Sequence, residues 1–345
     1  MATPRPTAFE TSPANPDFAV SPLPDQRPFT DLAETPDRPE EFTFALLSDR
    51  TGFAREGVFE RAVEMTNLFN PDFVVQVGDA IEGYTENLNE IWGQWREYEA
   101  ITSGLNAPLF RTPGNHDVSN EVMRTEWLRR YGALHYAWRY RDVLFVVLDT
   151  QDPPPSVEEM THGMSAEEFS ALLRKMHHNV QEDPAEFIAS QKDHIEGPMG
   201  ARFSESQLAW IREVLAAHHD VRHTFVFMHI PCWQDKESRE FTDLRAALSD
   251  REYTVFGGHC HNYKREVIDG RDWIRLGSTG GVWVTDKEDG NWDHITLVSL
   301  TRNGVKIANI VLEGIFGAEG GAFDYVKPLA EPMRLATPAE PAPAP

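Results

Sequence analysis

Five short blocks of this chain carry side chains that bind metals or move protons. They are Asp49 within Ser48-Asp-Arg-Thr-Gly52, Gly78-Asp79, Gly114-Asn115-His116-Asp117, the lone His229, and Gly257-Gly-His259-Cys-His261. Each follows a short apolar run of strand length: Phe42 to Leu47, Phe73 to Val77, Pro108 to Phe110, Thr224 to Met228 and Tyr253 to Phe256. Pro113 argues against helical continuation of the third run. A surface turn needs the glycine and the asparagine of that tetrapeptide, but not His-Asp as well. In open α/β sheets the ligand crevice lies outside the carboxyl ends of the strands. Five such ends would gather carboxylate, amide and imidazole donors in one place. Crowded carboxylates in a cleft are costly unless a cation sits between them. Oxygen and nitrogen donors without thiolates suit Mn, Fe, Zn or Co. The donors outnumber what one tetrahedral ion uses. Two ions sharing a carboxylate is the economical arrangement, and it is the arrangement of phosphoester hydrolysis.

The elements that must position these blocks alternate along the chain. Glu56 to Phe69 and Asn89 to Leu105 have apolar residues near helical spacing, the second with Trp92 and Trp95; Gln207 to Ala217 reads as a further helix. Tyr136 to Leu148 reads as a hairpin. Trp273 to Leu276, His294 to Leu300 and Val305 to Leu312 read as closing antiparallel strands, the last two joined by a turn at Asn303-Gly304. Residues 151–203 interrupt this rhythm with a polar, partly helical insertion that carries His162, His177, His178 and His194. A connection of this length inside a domain is a candidate lid; a solvated helical excursion is the plainer reading. Residues 1–40, rich in Pro, Asp and Thr, read as an extended N-terminal arm, and 317–345 as a C-terminal tail that ends in Pro and Ala.

The chain has 345 residues, 41% of them hydrophobic and 11% aromatic, enough for a substantial core. Its net charge of −23 repels a phosphate backbone and an anionic membrane surface, which disfavours nucleic-acid and membrane partners. A small anionic substrate then needs local positive charge, which a pair of cations supplies. Two cysteines, Cys232 and Cys260, imply no disulfide framework. No charged-then-apolar leader and no run long enough to span a bilayer is visible, so a cytoplasmic location is expected.

In their order and content these blocks resemble the calcineurin-like metallophosphoesterase superfamily, which includes the purple acid phosphatases. The pattern there is Asp-x-His, Gly-Asp, Gly-Asn-His-Asp/Glu, a lone His, then Gly-His-x-His. The resemblance spans roughly 42–316. It implies a four-layer α/β/β/α sandwich of two mixed sheets flanked by helices, as one catalytic domain over 41–316. It also implies two divalent ions. Asp79 would bridge them, Asp49 and His261 would hold the first, and Asn115, His229 and His259 would hold the second. His116 would protonate the leaving group after attack by a hydroxide between the ions, with Asp117 orienting its imidazole. The expected function is hydrolysis of a phosphomonoester or phosphodiester of a small molecule.

One block departs from the pattern: Asp49-Arg50-Thr51 has threonine where the pattern has histidine. A hydroxyl is a poor ligand for these ions, so the first site is short of a donor. Glu82, on charge grounds, or Tyr84 are candidates to fill it. The purple acid phosphatases also lack this histidine and use a tyrosine three residues after the Gly-Asp aspartate; here that position is Glu82. Arg50 is a candidate for a phosphate oxygen, with a salt bridge as the plainer reading. Trp233, after His229, is a candidate substrate contact, with core or cleft wall as the plainer reading. Cys260 reads as a small buried turn residue, and His135, His218, His219 and His223 as structural. Two alternatives differ in kind: a ferric enzyme of the purple acid phosphatase sort, and a metal-binding interaction module silenced through Thr51. Retention of His116 and Asp117 argues against the second, since a mere metal binder needs no proton donor.

Overall fold

The computed structural model describes residues 41–160, 199–283 and 290–312, with shorter stretches between 9 and 32, between 163 and 180, and at 314–317. Among the described residues fourteen strands form two sheets. The strands are β1 Glu10–Ser12, β2 Asn15–Val20, β3 Phe42–Leu47, β4 Phe73–Val77, β5 Leu109–Thr112, β6 Tyr136–Tyr140, β7 Val143–Val147, β8 His223–Phe227, β9 Tyr253–Gly257, β10 Lys264–Ile268, β11 Arg271–Arg275, β12 His294–Thr301, β13 Gly304–Val311 and β14 Gly314–Gly317. One sheet runs β1-β2-β6-β7-β8-β9-β11-β10, the other β14-β13-β12-β3-β4-β5.

The apolar runs became strands because both of their faces are covered. Along β3, Phe42, Phe44 and Leu46 enter the core between the sheets, while Ala45 and Leu47 face the helices Val58–Leu68, Leu88–Thr102 and Glu121–Tyr131. Along β7, Val143, Phe145 and Val147 share that inner core, while Leu144 and Val146 meet the helices Glu205–Ala217 and Arg239–Ala247 on the opposite outer face. The result is the expected α/β/β/α layering. Aromatic rings fill the seam: Phe44 stacks on Phe73 with centroids 5.1 Å apart and meets Phe225 edge-on at 5.0 Å. Each such buried ring contributes about 1.5–3 kcal/mol. Four of these helices start where a side chain caps them: Asn87, Asn120, Ser204 and Ser238 each accept from an amide two or three residues on.

β3, β4 and β5 are mutually parallel, as are β7, β8 and β9. Their carboxyl ends therefore open on one side, and all five sequence blocks follow such ends.

Two expectations change. The strand around Trp273 does not join the closing antiparallel group. It lies parallel to β9 in the eight-stranded sheet and antiparallel to β10, with an Asp269-Gly270 turn between. Lys264, Arg265 and Glu266 hid β10, because an edge strand tolerates charge. The N-terminal arm is more than extended chain: β2 pairs with β6 and buries Phe18 and Val20 in the inter-sheet core. Its few apolar residues coincide with the seam, which composition averages away. Of the insertion, His162, His177, His178 and His194 lie outside the described residues, as does the chain beyond 317.

Candidate metal centre

Asp49 and Asp79 stand just past the ends of β3 and β4, and both carboxylates are buried. Asp49, Asp79, His259 and His261 all have left-handed backbone, with φ of 49°, 54°, 74° and 53°. Such conformations cost roughly 1–3 kcal/mol each in non-glycine residues and persist where the surroundings impose them. Here the imposing contacts link one loop to the next. The Asp49 amide donates to the Gly78 carbonyl (3.3 Å), the Thr51 amide to the Asp79 carbonyl (3.2 Å), and the Gly258 amide to the His229 carbonyl (2.8 Å).

Two groups of donor atoms result, each within 4.8 Å: Asp79, His229 and His259 form one, and Asp49, Asp79 and His261 the other. Asp79 belongs to both. His229 Nε2 lies 3.0 Å from Asp79 Oδ2, and His261 Nε2 lies 3.5 Å from Asp49 Oδ1. The histidines are held from behind. A carbonyl only accepts, so His229 Nδ1 donates to the Val77 oxygen (3.0 Å) and His261 Nδ1 to the Val282 oxygen (2.6 Å). That fixes each ring with Nε2 facing the carboxylates, the arrangement metal-binding imidazoles use. The carboxylates have backing too. Asp49 accepts from the Ser48 hydroxyl and from the His259 amide (2.7 Å), and Asp79 accepts from the His116 amide (3.0 Å).

The electrostatics demand a positive charge here. Burial alone would lower the pKa of His229, yet Asp79 and Asp49 push it up to about 10. Burial would raise Asp79, yet His229 and His116 hold it well below the usual carboxylate range. Burial together with its imidazole neighbours pushes His259 down to about 3. The carboxylates thus draw a proton onto His229 in the place where a cation would sit. Asn115 gives a second test of fit. Its Oδ1 is buried and has no hydrogen-bond partner among the described residues, while its Nδ2 donates to the Tyr84 hydroxyl (2.8 Å). A buried amide oxygen left bare is expensive, and a metal ion removes that cost. The residues therefore fit divalent cations.

The glycines packed against the centre have a steric reason. A Cβ at Gly114 would lie 2.2 Å from Asp79 Oδ1. A Cβ at Gly281 would lie 2.3 Å from the Thr51 carbonyl oxygen and 2.6 Å from His261 Cε1.

Several candidates stand elsewhere than expected. Thr51 turns away, its hydroxyl donating to the carbonyls of Ile81 (2.8 Å) and Asp79 (3.2 Å). Glu82 lies in neither donor group; its two oxygens accept from the amides of Ala54 (2.7 Å) and Phe53 (3.1 Å). Tyr84 reaches Asn115 rather than the Asp49–His261 side. Asp117 does not orient His116. Its Oδ1 accepts from the Ala80 and Ile81 amides (2.8 and 3.2 Å) and its Oδ2 from the Gly114 amide (2.9 Å). Burial and the nearby Asp79 charge nonetheless raise its pKa to about 7. The His116 imidazole is held instead by the Glu82 carbonyl, 2.7 Å from Nδ1, with Nε2 3.9 Å from Asp79 Oδ2.

Arg50 is ion-paired to Glu97 and donates to the Ala80 carbonyl, so it braces the Asp49 loop rather than facing a substrate. Trp233 is wholly buried against Trp273, with ring centroids 5.5 Å apart, and belongs to the outer core. Cys260 is buried near Gln234.

The segment 277–282 escaped the sequence reading. Thr279 and Gly281 amides donate to the carbonyls of Ser48 (2.6 Å) and Asp49 (2.8 Å), the Val282 amide to that of Gly52 (2.9 Å), and Val282 orients His261. Its signal was present: Gly277-Ser-Thr-Gly-Gly281 follows a strand end, as the other blocks do.

A family model described as calcineurin-like phosphoesterase matches residues 42–263. No curated protein matches the chain by sequence. Among solved structures, a dimetal phosphatase from Danio rerio is similar at a TM-score of 0.53 and 18% identity, over 81% of this chain and 99% of that one. PhoD is similar at a TM-score of 0.53 and 11% identity, over 89% of this chain and 78% of that one. At these identities the likeness is one of fold.

Proposed function

The chain belongs to the calcineurin-like phosphoesterases, and we propose that it hydrolyses a phosphomonoester or phosphodiester of a small molecule with two divalent cations. Asp49, Asp79 and His261 would hold one ion; Asp79, His229, His259 and Asn115 would hold the other. The observation that carries this reading is that both donor groups share the single carboxylate of Asp79. When bound, the ions supply an activated water and neutralise charge on the phosphoryl oxygens.

The chain's own residues do the rest. His116 is anchored at Nδ1 by the Glu82 carbonyl, so Nε2 is the atom left to act. As the ester P–O bond breaks, the departing oxygen takes the proton from Nε2, and solvent returns one. Proton transfer of this kind contributes ~10²–10⁴-fold. Asp117 acts on the backbone: its carboxylate gathers the amides of Gly114, Ala80 and Ile81, and so fixes the Asp79 and His116 loops relative to each other. Arg50 and Arg55 near the site are paired with Glu97 and Asp293. The attraction for an anion on this acidic protein therefore falls to the cations. Engagement of Tyr84 with Asn115 argues against the ferric alternative, because that tyrosine hydroxyl is turned to the Asn115 side.

The test is metal content of the purified protein beside hydrolysis of para-nitrophenyl phosphate and its bis ester with added manganese. Two ions per chain and turnover are expected, and the ratio of the two rates ranks monoester against diester. No bound ion and no turnover with any divalent cation would sink the reading.

A further inference from the structure

Tyr84 lies outside both donor groups, yet it touches the two residues of the Gly-Asn-His-Asp block that matter most. Its hydroxyl oxygen accepts from Asn115 Nδ2 at 2.8 Å. Its ring stands edge-on to the His116 imidazole, with centroids 4.7 Å apart and planes at 81°. Phe169, from the insertion, packs on the ring's other neighbourhood at 5.8 Å. The backbone of Tyr84 is itself left-handed, with φ of 51°, and its amide donates to the Ser119 hydroxyl at 3.2 Å. A left-handed non-glycine residue held by a side chain from the next block is a placed residue rather than loop filler.

An asparagine amide has two faces of nearly equal shape, and only the oxygen binds a cation. Which face turns inward depends on what the other face meets. Here the NH₂ meets Tyr84, and the bare, buried Oδ1 is left for the ion. Remove the hydroxyl and the NH₂ loses its acceptor, so nothing named holds the amide with Oδ1 toward the ion. The amide then spends part of its time with NH₂ toward the ion, where it repels it.

We propose that Tyr84 is a positioning residue for the second ion: its hydroxyl oxygen holds the Asn115 amide by the NH₂ and so presents Oδ1 to the metal. It acts through Asn115 and touches neither ion nor substrate. This rests on the two-ion reading above, and the experiment separates the two. Manganese binding is followed by calorimetric titration for the wild type, Tyr84→Phe, Asn115→Ala and the double variant, with thermal melting as a check on folding. Phenylalanine keeps the ring against His116 and removes only the hydroxyl.

In the wild type two ions bind. In Tyr84→Phe one of the two affinities falls ~10-fold, the scale of losing a group that orients a ligand, and the other stays within about twofold. In the Asn115→Ala background the same change has no further effect, because the residue it acts through is gone. An unchanged affinity in Tyr84→Phe overturns the proposal. So does an equal loss in both backgrounds, which would mean Tyr84 acts by packing alone. A wild type that binds no manganese overturns the two-ion reading itself and this inference with it.

Discussion

On the side of His229, the proposed centre has four donors once Asn115 is counted, and each has its support. Val77 anchors His229, Tyr84 turns Asn115, and Asp79 and His259 complete the group. On the side of Asp49 there are three: Asp49, Asp79 and His261. These are held just as firmly, by Ser48, the His259 amide and the Val282 carbonyl. Among the described residues that side has no fourth ligand. Thr51 occupies the place, with its hydroxyl bonded to the Ile81 and Asp79 carbonyls. Orientation and donor number are thus independent properties of a metal site. The weaker half of this one is short of a ligand, not poorly built. The ion on the Asp49 side is expected to leave first when a chelator is added.

The comparison can be broken at its shared member. Asp79→Asn removes the one carboxylate that both halves use, so both ions go together and turnover falls by ~10³-fold or more, the scale of losing metal-assisted chemistry. Elemental analysis decides it; a variant that retains two ions would falsify the shared-ligand assignment. His116→Ala belongs to neither half. It should keep both ions while turnover drops ~10²–10⁴-fold on esters with poor leaving groups and much less on an activated aryl phosphate. Equal losses on the two substrates would remove the leaving-group role. The smallest effect is the most pointed. Thr51→His restores the missing donor and should tighten the first ion ~10-fold, about 1.4 kcal/mol, while the second is unmoved. No change on titration would mean that histidine cannot reach from that backbone, and that the halves differ by geometry as well as by ligand count.

The donor list was legible because each donor sits a short distance past an apolar run, and such runs become strands when both faces are covered. The same logic located β3, β4, β5, β8 and β9. It failed for β10, whose charged residues suit an edge, and for β2, whose few apolar side chains matter only because they meet the inter-sheet seam. It also failed for the roles of Glu82 and Asp117, while for Arg50 the plainer reading of a salt bridge holds, with Glu97 as partner. All three are charged residues beside a metal centre, and all three spend their charge holding loops in place, on backbone amides or on a neighbouring carboxylate.

The sequence by itself determined which residue types arrive at the crevice and in what order, because spacing along a strand and its following turn is local. The tertiary structure decided which of them face one another, which carbonyl fixes each imidazole, and which amide face of Asn115 is bare. Those depend on contacts between segments far apart in the chain: Val77 with His229, His261 with Val282, and Tyr84 with Asn115. Such contacts are set by how the two sheets stack and how the loops at their ends bond to one another, and no local pattern records that.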